Sequence, residues 1–342
     1  IEAAGIQQLP LDGKYAAIKM HVGEPVNLAY LRPGYAKVVV DELKSMGARP
    51  FLTDCNTLYV GNRRNALDHL DAAYENGFSP LQVGCQVLIA DGLLGTDDVA
   101  VPINAEYCKV AYIGRAAADA DAIISLSHFK GHEATGFGGA LKNLGMGLGS
   151  CAGKRDMHHE GKPQVNEDMC VGCGMCRKSC AHDAIALANH KAHIDPAKCV
   201  GCERCVGACH RQGAITGPES ACDVLGCKIA EYALAAVKDK PNFHISLVMD
   251  VGPYCDCYGS NDAPIVADIG MFASFDPVAL DVACADAVNH AAALPGTLLT
   301  DRGVHSEDHF HDLHPVTNWR SCMEHAQKIG LGSMSYEIVE VE

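Results

Sequence analysis

Eight of the 18 cysteines lie between positions 170 and 209, at spacings that suit metal ligation. They form two copies of the pattern C-x2-C-x2-C-x3-C, and the second copy begins 29 residues after the first. Two-residue gaps let three thiolates in one tight loop bind a single [4Fe–4S] cluster, while the fourth thiolate of each copy binds the other cluster. The sequence therefore predicts two [4Fe–4S] clusters with crossed ligation.

The crossed pattern assigns each cysteine to one of two ligand sets. Set I is Cys170, Cys173, Cys176 and Cys209, and set II is Cys199, Cys202, Cys205 and Cys180. Structural zinc is the alternative for the same residues. Zinc sites usually use paired C-x2-C knuckles, whereas this chain has triplets with a trailing fourth cysteine, which favours the clusters.

The cysteine-rich segment of about fifty residues resembles a bacterial two-cluster ferredoxin. The resemblance implies a small α+β unit that carries both clusters. Ala181 and His210 stand where that family has proline, and the second copy reaches Ala214 one residue late. We therefore expect the loop after the second copy to be reshaped, with His210 and Arg211 near a cluster.

Outside this segment, apolar runs and helical periods alternate along the chain. The predicted strands are 15–21, 50–53, 86–90, 107–113, 122–126, 243–249, 265–272 and 336–341. The predicted helices are 33–46, 62–76, 116–120, 223–237, 277–293 and 319–330. Alternation of this kind predicts a mostly parallel sheet covered by helices.

The alternation stops before the cysteine-rich segment and resumes after it, which predicts an inserted unit. We expect an α/β host domain in two parts, 1–162 and 219–342, interrupted by an α+β 2[4Fe–4S] ferredoxin-like insert at 163–218. Charge separates the two units as well. Residues 165–217 hold six Lys/Arg and five Asp/Glu, a net charge of +1. The whole chain has a net charge of −15, so the host has a net charge of −16.

Polar residues gather where the predicted strands of the host end, and ligands of open α/β sheets bind at the carboxyl ends of strands. These residues are Asp54 and Cys55, then His128, Lys130 and His132, then Asp250, Cys255 and Cys257, and finally Asp276. We expect them to share one edge of the sheet. Helix capping is the alternative for Asp54 and Asp276, because aspartate also favours caps and turns.

The tripeptide Cys255-Asp256-Cys257 places two thiols one residue apart, and two thiolates can chelate one soft metal ion. Histidines between positions 128 and 159 favour the same chemistry, and we predict His128 and His158 as further ligands of an additional metal or cofactor in the host. The alternative is packing, because free cysteine is often buried and inert.

Residues 136–143 form a glycine-rich stretch that contains neither a Walker A motif nor a dinucleotide fingerprint. Its glycines allow close approach of the backbone to a ligand. Lys142 in this stretch could bind an anion or form a covalent adduct, and a solvated lysine is the alternative. We predict Lys142 and His132 as catalytic residues.

Four segments together resemble the uncharacterised iron–sulfur centre protein family: 53–59, 128–132, 136–143 and 255–257. The similarity runs nearly end to end. It implies a host domain of unknown function that carries an inserted two-cluster ferredoxin, and it implies no particular reaction.

A shorter stretch is similar to the nickel-pincer lactate racemases, which carry a histidine upstream of G-F-S-G-G-x-K. The matching residues are His132, Gly136, Phe137, Gly139 and Lys142, whereas Gly138 and Ala140 differ from the family. The resemblance implies that Lys142 bears the cofactor and that His158 or His159 binds nickel.

Composition excludes several classes of protein. The 342 residues are 48% apolar and carry a net charge of −15, which disfavours binding to nucleic acid or to an anionic membrane surface. No apolar run reaches the eighteen or so residues of a membrane helix. The chain begins with Ile1 and shows no secretory signal, so we expect a reducing, anaerobic cytoplasm and an incomplete N-terminus.

These patterns predict an iron–sulfur redox protein, an oxidoreductase whose clusters exchange electrons with a host site. Its partners would be a redox protein and a small-molecule substrate. One alternative is a non-redox enzyme related to pincer-type racemases, with structural clusters. The other is a pure electron carrier whose host domain docks a partner.

Overall fold

The computed structural model describes residues 1–202, 204–209, 213–218 and 221–341. The expected position of His210 and Arg211 lies outside these residues. The strands are β1 (Tyr15–Lys19), β2 (Arg49–Asp54), β3 (Gln86–Ile89), β4 (Asp98–Pro102), β5 (Val110–Gly114), β6 (Ala122–His128), β7 (Lys130–His132), β8 (Gly136–Gly138), β9 (Gln164–Val165), β10 (Ile185–Ala188), β11 (Lys191–Ile194), β12 (Ile215–Thr216), β13 (Asn242–Val248) and β14 (Gly270–Ser274).

The helices follow the strands along the chain. They are α1 (Pro33–Ser45), α2 (Ala66–Glu75), α3 (Pro80–Val83), α4 (Arg115–Asp119), α5 (Ala140–Leu148), α6 (Cys151–Met157), α7 (Met175–Lys178), α8 (Arg204–Cys209), α9 (Ala221–Val237), α10 (Pro277–His290), α11 (Leu298–Arg302), α12 (His309–Leu313) and α13 (Trp319–Lys328). Short 3-10 helices span Ile6–Gln8 and His159–Gly161.

Six strands form the central sheet, in the order β14-β13-β6-β1-β2-β3. The pairs among β13, β6, β1, β2 and β3 are parallel, and only β14 runs antiparallel to its neighbour. The mostly parallel sheet predicted from the sequence is therefore confirmed. Its five parallel strands bring their carboxyl ends to one edge.

Helices cover both faces of this sheet. Ala17 and Ile123 point to the face covered by α5, α9 and α10, and Ile18 and Ile124 point to the face covered by α1. Successive residues of a strand alternate between the two faces, and both faces of these strands are apolar because both are buried. The host is thus a three-layer α/β/α unit.

Three sequence expectations about the host differ from the structure. Residues 336–341 form no strand, because their backbone finds no partner and the side chains of Ile338 and Val339 stay exposed. The strand expected at 107–113 is β5, which pairs antiparallel with β4 outside the central sheet. The glycine-rich stretch 136–143 is β8 followed by the first turn of α5, so Lys142 lies on a helix.

The segment 163–218 has a small core of its own. Its strands form two antiparallel pairs, β10 with β11 and β9 with β12, and Ile185, Ala192 and Ile215 pack with Cys176 and Cys205. The pairing of β9 with β12 brings the two ends of the segment together, as an inserted unit requires. The domain boundaries and the ferredoxin-like character of the segment stay predictions.

Among the described residues, the helices are all too short or too polar to cross a membrane.

Candidate functional site

The carboxyl ends of β1, β2, β6 and β13 lie side by side, so the segments that follow them form one polar edge. Asp54, His128 and Cys255 come from three of these strands, as the sequence predicted. Asp276 does not join them. It follows β14, which is antiparallel, and therefore lies at the opposite edge. There its side chain caps α10 by accepting hydrogen bonds from Val278 N and Ala279 N.

The two thiols of Cys255 and Cys257 face each other in a tight turn. The N–H of Tyr258 donates to Cys255 O at 3.2 Å, which closes a β-turn over residues 255–258. The N–H of Cys257 donates to Cys255 Sγ at 3.4 Å, and each thiol shifts the pKa of the other. The hydrogen bond from Cys257, with Lys142 and His132 beside it, holds the pKa of Cys255 well below its ordinary value despite burial.

His132 and Lys142 lie beside this pair of thiols. His132 Nδ1 accepts a hydrogen bond from Ala134 N at 3.1 Å, and the same ring helps to lower the pKa of the neighbouring Cys255. The stems of Lys142 and Lys130 both pass over Gly138, where an added Cβ would lie 3.5 Å and 3.7 Å from them. The structure thus brings both predicted catalytic residues to the thiol pair.

His158 approaches the same place from the chain that follows α6. Burial, with the nearby charges of Lys142 and His132, lowers its pKa to about 4. The ring is therefore neutral at physiological pH. Of the residues predicted to hold a metal, His158, Cys255 and Cys257 lie around Lys142 and His132.

His128 is placed differently. Its Nδ1 lies 2.8 Å from Asp256 Oδ2 and its Nε2 lies 2.8 Å from Met249 O, so both ring nitrogens face acceptors. Lys130 Nζ lies 3.2 Å from the same Asp256 oxygen. Although burial alone would raise it, His128 and Lys130 hold the pKa of Asp256 well below its ordinary value. His128 therefore fixes the turn through Asp256 and has no lone pair left for a metal ion.

A second buried charge network adjoins the first. Lys19 Nζ lies 3.2 Å from Asp54 Oδ1, and Arg63 Nε donates to Glu24 Oε2 at 2.9 Å. Arg63 also lies 3.6 Å from Asp54 Oδ2. The N–H of Glu24 donates to Asp256 O at 3.1 Å, which joins the two networks. The side chains of Lys19 and Arg63 are each 1% exposed. Their charges are therefore stabilised by the carboxylates of Asp54 and Glu24 rather than by water.

Sequence reasoning missed several members of this site. A lysine within the apolar strand β1 was a signal for Lys19, because a buried charge needs a partner. His21 follows the same strand and lies near Cys255, Asp256 and Arg63, and burial lowers its pKa well below the ordinary value. No local pattern identified Arg63, which is brought in by a turn before α2.

The cysteine-rich segment touches this site through Arg204 in α8. The guanidinium lies between two rings, 4.1 Å from the centroid of Tyr59 and 4.2 Å from that of Tyr258. Its NH2 group donates to Cys257 O at 3.0 Å. Arg204 stands in the loop that carries Cys202 and Cys205. The loop of set II therefore contacts the turn that holds the two host thiols.

Two more contacts join the segment to the host. His182 Nε2 lies 2.7 Å from Leu58 O. Gly201 packs against the carbonyl of His158, where an added Cβ would be 2.0 Å from the oxygen. Because Gly201 also has a φ of +75°, no other residue fits there without a shift of the backbone.

The eight cysteines of the segment line two separate cavities. One cavity, of about 330 Å³, is lined by all four cysteines of set II, and the other, of about 380 Å³, by all four of set I. Neither cavity mixes the sets. The N–H of Ala192 donates to Cys170 Sγ at 3.4 Å, a contact of the kind that tunes cluster potentials. The donor sets and their surroundings therefore fit two clusters.

A geometric search gives a narrower result. Within 1–202, 204–209, 213–218 and 221–341, no three or more His, Cys, Asp or Glu side chains already stand at metal-binding geometry. The cysteines are compatible with metal clusters, while the type and number of clusters remain predictions.

The amino end of α5 is closed by an internal carboxylate. Asp281 Oδ1 accepts from Ala140 N at 2.6 Å, and Oδ2 accepts from Leu141 N at 2.9 Å. Burial raises the pKa of Asp281 to about 7 in spite of these bonds. An added Cβ at Gly139 would lie 2.2 Å from Asp281 Oδ1, so this close approach requires glycine. The glycine-rich stretch therefore receives a side chain of the host rather than an external anion at this helix end.

One known protein family matches this chain. A family model described as Domain of unknown function (DUF362) matches residues 16–286. The chain belongs to the DUF362 family. The match spans most of the chain, although it does not itself show an iron–sulfur insert. No curated protein matches this DUF362 chain.

Among solved structures, the chain is similar to the lactate racemase apoprotein from Thermoanaerobacterium thermosaccharolyticum. The two share 12% sequence identity with a TM-score of 0.37, over 71% of this chain and 45% of the racemase. The DUF362 chain thus spans less than half of that protein. A similarity this weak supports no conclusion about chemistry.

Proposed function

We propose that this DUF362 chain is an iron–sulfur redox protein in which two [4Fe–4S] clusters exchange electrons with the host site around Cys255 and Cys257. The observation that carries the proposal is the contact of Arg204 with Cys257. It connects the loop of set II with the thiol turn inside a single chain. An electron carrier that only docks a partner would not need its cluster loop to be joined to a buried polar site.

In this proposal, set I and set II hold one cluster each. When bound, such clusters accept and donate single electrons. The chain provides the surroundings. Ile185, Ala192 and Ile215 keep water away from the sulfurs, and the loop of set II is held against the host by Arg204 and His182.

The host residues hold charges and protons around the two thiols, with which the clusters would exchange electrons. His132 and Lys142 stand next to Cys255 and stabilise negative charge on its sulfur. Asp256 holds the turn between His128 and Lys130. A site with this many buried ions keeps its geometry fixed, because moving one partner would leave another charge uncompensated.

The experiment is metal and redox analysis of the whole chain purified under anaerobic conditions. We expect about eight iron and eight sulfide per chain, and electron paramagnetic resonance should show two reducible clusters. Cys202→Ala should lose the signal of one cluster, whereas Cys85→Ala, a buried cysteine remote from both cavities, should lose neither.

Three results would contradict the proposal or direct it elsewhere. Zinc in place of iron would exclude the clusters. Clusters that take up no electrons would support the structural role, and nickel bound in addition to iron would then favour the racemase alternative. Reducible clusters whose properties are unchanged by any alteration of the host turn would indicate a carrier.

A further inference from the structure

The two host thiols have a geometry that the clusters do not explain. Cys255 and Cys257 occupy the first and third positions of a β-turn, and the N–H of Cys257 donates a hydrogen bond to Cys255 Sγ at 3.4 Å. Asp256 between them is anchored by His128 and Lys130, so the turn cannot open freely. Two sulfurs are thus held against one another by a rigid frame.

The neighbours of the pair do not complete a metal site. His132 Nδ1 accepts the hydrogen bond of Ala134 N, so the lone pair of this nitrogen is not free for a metal ion. His128 uses both ring nitrogens elsewhere. In the described part of the chain, no third ligand stands with the two sulfurs at metal-binding geometry. Each thiol is therefore the other's nearest reactive partner.

We propose that Cys255 and Cys257 form a reversible dithiol/disulfide centre that takes a disulfide as its oxidant. The inference rests on the proposed function, because the electrons that reduce the centre come from the clusters. Its place beside Arg204 puts it next to the loop of set II. The centre would couple single-electron transfer from the clusters to the two-electron reduction of an external disulfide.

Oxidation proceeds by two exchange steps. Cys257 is partly exposed and Cys255 is 4% exposed, so an external disulfide R–S–S–R meets Cys257 first. The sulfur of Cys257 attacks one sulfur of the disulfide and releases one R–SH. Cys255 then attacks the sulfur of Cys257 and releases the second R–SH. The two thiol protons leave with the two products, and the protein keeps a Cys255–Cys257 disulfide.

Reduction converts the Cys255–Cys257 disulfide back into two thiols. The disulfide takes up two electrons and two protons and yields two thiols, and clusters bound by sets I and II would supply the electrons.

The test uses the whole chain with its clusters. The protein is equilibrated with oxidised glutathione or with reduced dithiothreitol under anaerobic conditions, quenched in acid, alkylated and digested with trypsin. Residues 239–302 contain no tryptic site that is readily cleaved, and they carry Cys255, Cys257 and Cys284. The fully buried Cys284 is therefore an internal control in the same peptide.

We expect two fewer alkyl groups on this peptide after oxidation, restored by reduced dithiothreitol, with Cys284 alkylated throughout. Cys257→Ser should abolish the change, and Cys284→Ala should preserve it. Alkylation of all three cysteines after oxidation would overturn the inference, as would a metal ion bound to wild type and lost in Cys255→Ser. Iron content and cluster absorption are measured in the same samples. Intact, reducible clusters beside an inert pair would reject this inference alone, whereas missing or inert clusters would reject the proposed function.

Discussion

Arg204 donates a hydrogen bond to the carbonyl oxygen of Cys257 over 3.0 Å, from a loop that carries two predicted cluster ligands to a turn that carries two host thiols. The guanidinium is enclosed by the rings of Tyr59 and Tyr258 on its two faces. Arginine suits this position because its planar group can stack and donate hydrogen bonds at once. The contact orients the cysteine-rich segment on the host.

Replacing Arg204 should loosen this junction. A cation over an aromatic ring contributes roughly 0.5–2 kcal/mol, and two rings and one hydrogen bond are lost in Arg204→Gln. We expect limited proteolysis to cleave at the borders of segment 163–218 faster than in wild type. Arg177→Gln is the matched control, because Arg177 lies on exposed α7 after the loop of set I. Equal cleavage of the two variants would show that Arg204 does not hold the segment.

Cys180 should bind the cluster of the other copy. Its side chain lines the cavity of Cys199, Cys202 and Cys205, although it belongs to the first motif. In Cys180→Ala we expect paramagnetic resonance to show damage to the set II cluster while the set I signal persists. Cys85→Ala is the control. Selective loss of the set I signal would falsify the crossed ligation.

Asp256 should be needed for stability as well as for the position of the thiols. It faces His128 and Lys130 in a buried setting, and removing one partner of a buried ion pair costs about 3–5 kcal/mol. We expect Asp256→Asn to lower the free energy of unfolding by that order, measured by denaturant titration under reducing conditions. Asp262→Asn, in an exposed loop nearby, should change it little. Equal stabilities would mean that the pair is not a buried charge interaction.

Asp281 should make stability depend on pH. Its pKa is raised from 3.8 to about 7 in the folded chain, so the folded state holds its proton more tightly than the unfolded state does. Stability from this group is therefore full below about pH 4 and falls as the pH rises toward 7, by roughly 1.4 kcal/mol per unit of pKa difference. Asp281→Asn should remove this fall.

The control for that experiment is Asp286→Asn, on the same helix α10 and partly exposed. It should keep the pH dependence of wild type. Melting temperatures recorded from pH 4 to pH 8 provide the measurement. An unchanged slope in Asp281→Asn would show that this carboxyl group titrates below the tested range.

The sequence identified many elements of the host because their signals are local. The apolar run at 122–126 predicted β6, a strand buried on both faces, and Pro33 at the first turn predicted the start of α1. The cap of α10 by Asp276, which was the alternative to a role in the site, is observed. Local apolar pattern also predicted a strand at 336–341, which was wrong, because a strand also needs a neighbouring backbone and none is supplied there.

The candidate site also contains some residues that local sequence signals identified and others that only the tertiary structure brought in. Residue type and spacing alone singled out the two cysteine motifs, the Cys255–Cys257 pair, His132 and Lys142, since their chemistry is visible in a few neighbouring letters. The sequence did not show that β14 runs antiparallel to β13. This direction places Asp276 at the edge of the sheet opposite the candidate site. Glu24, Arg63 and Arg204 carry no local signature either. They meet the site only because parallel strands and an inserted segment bring distant parts of the chain to one buried place, where charges need partners.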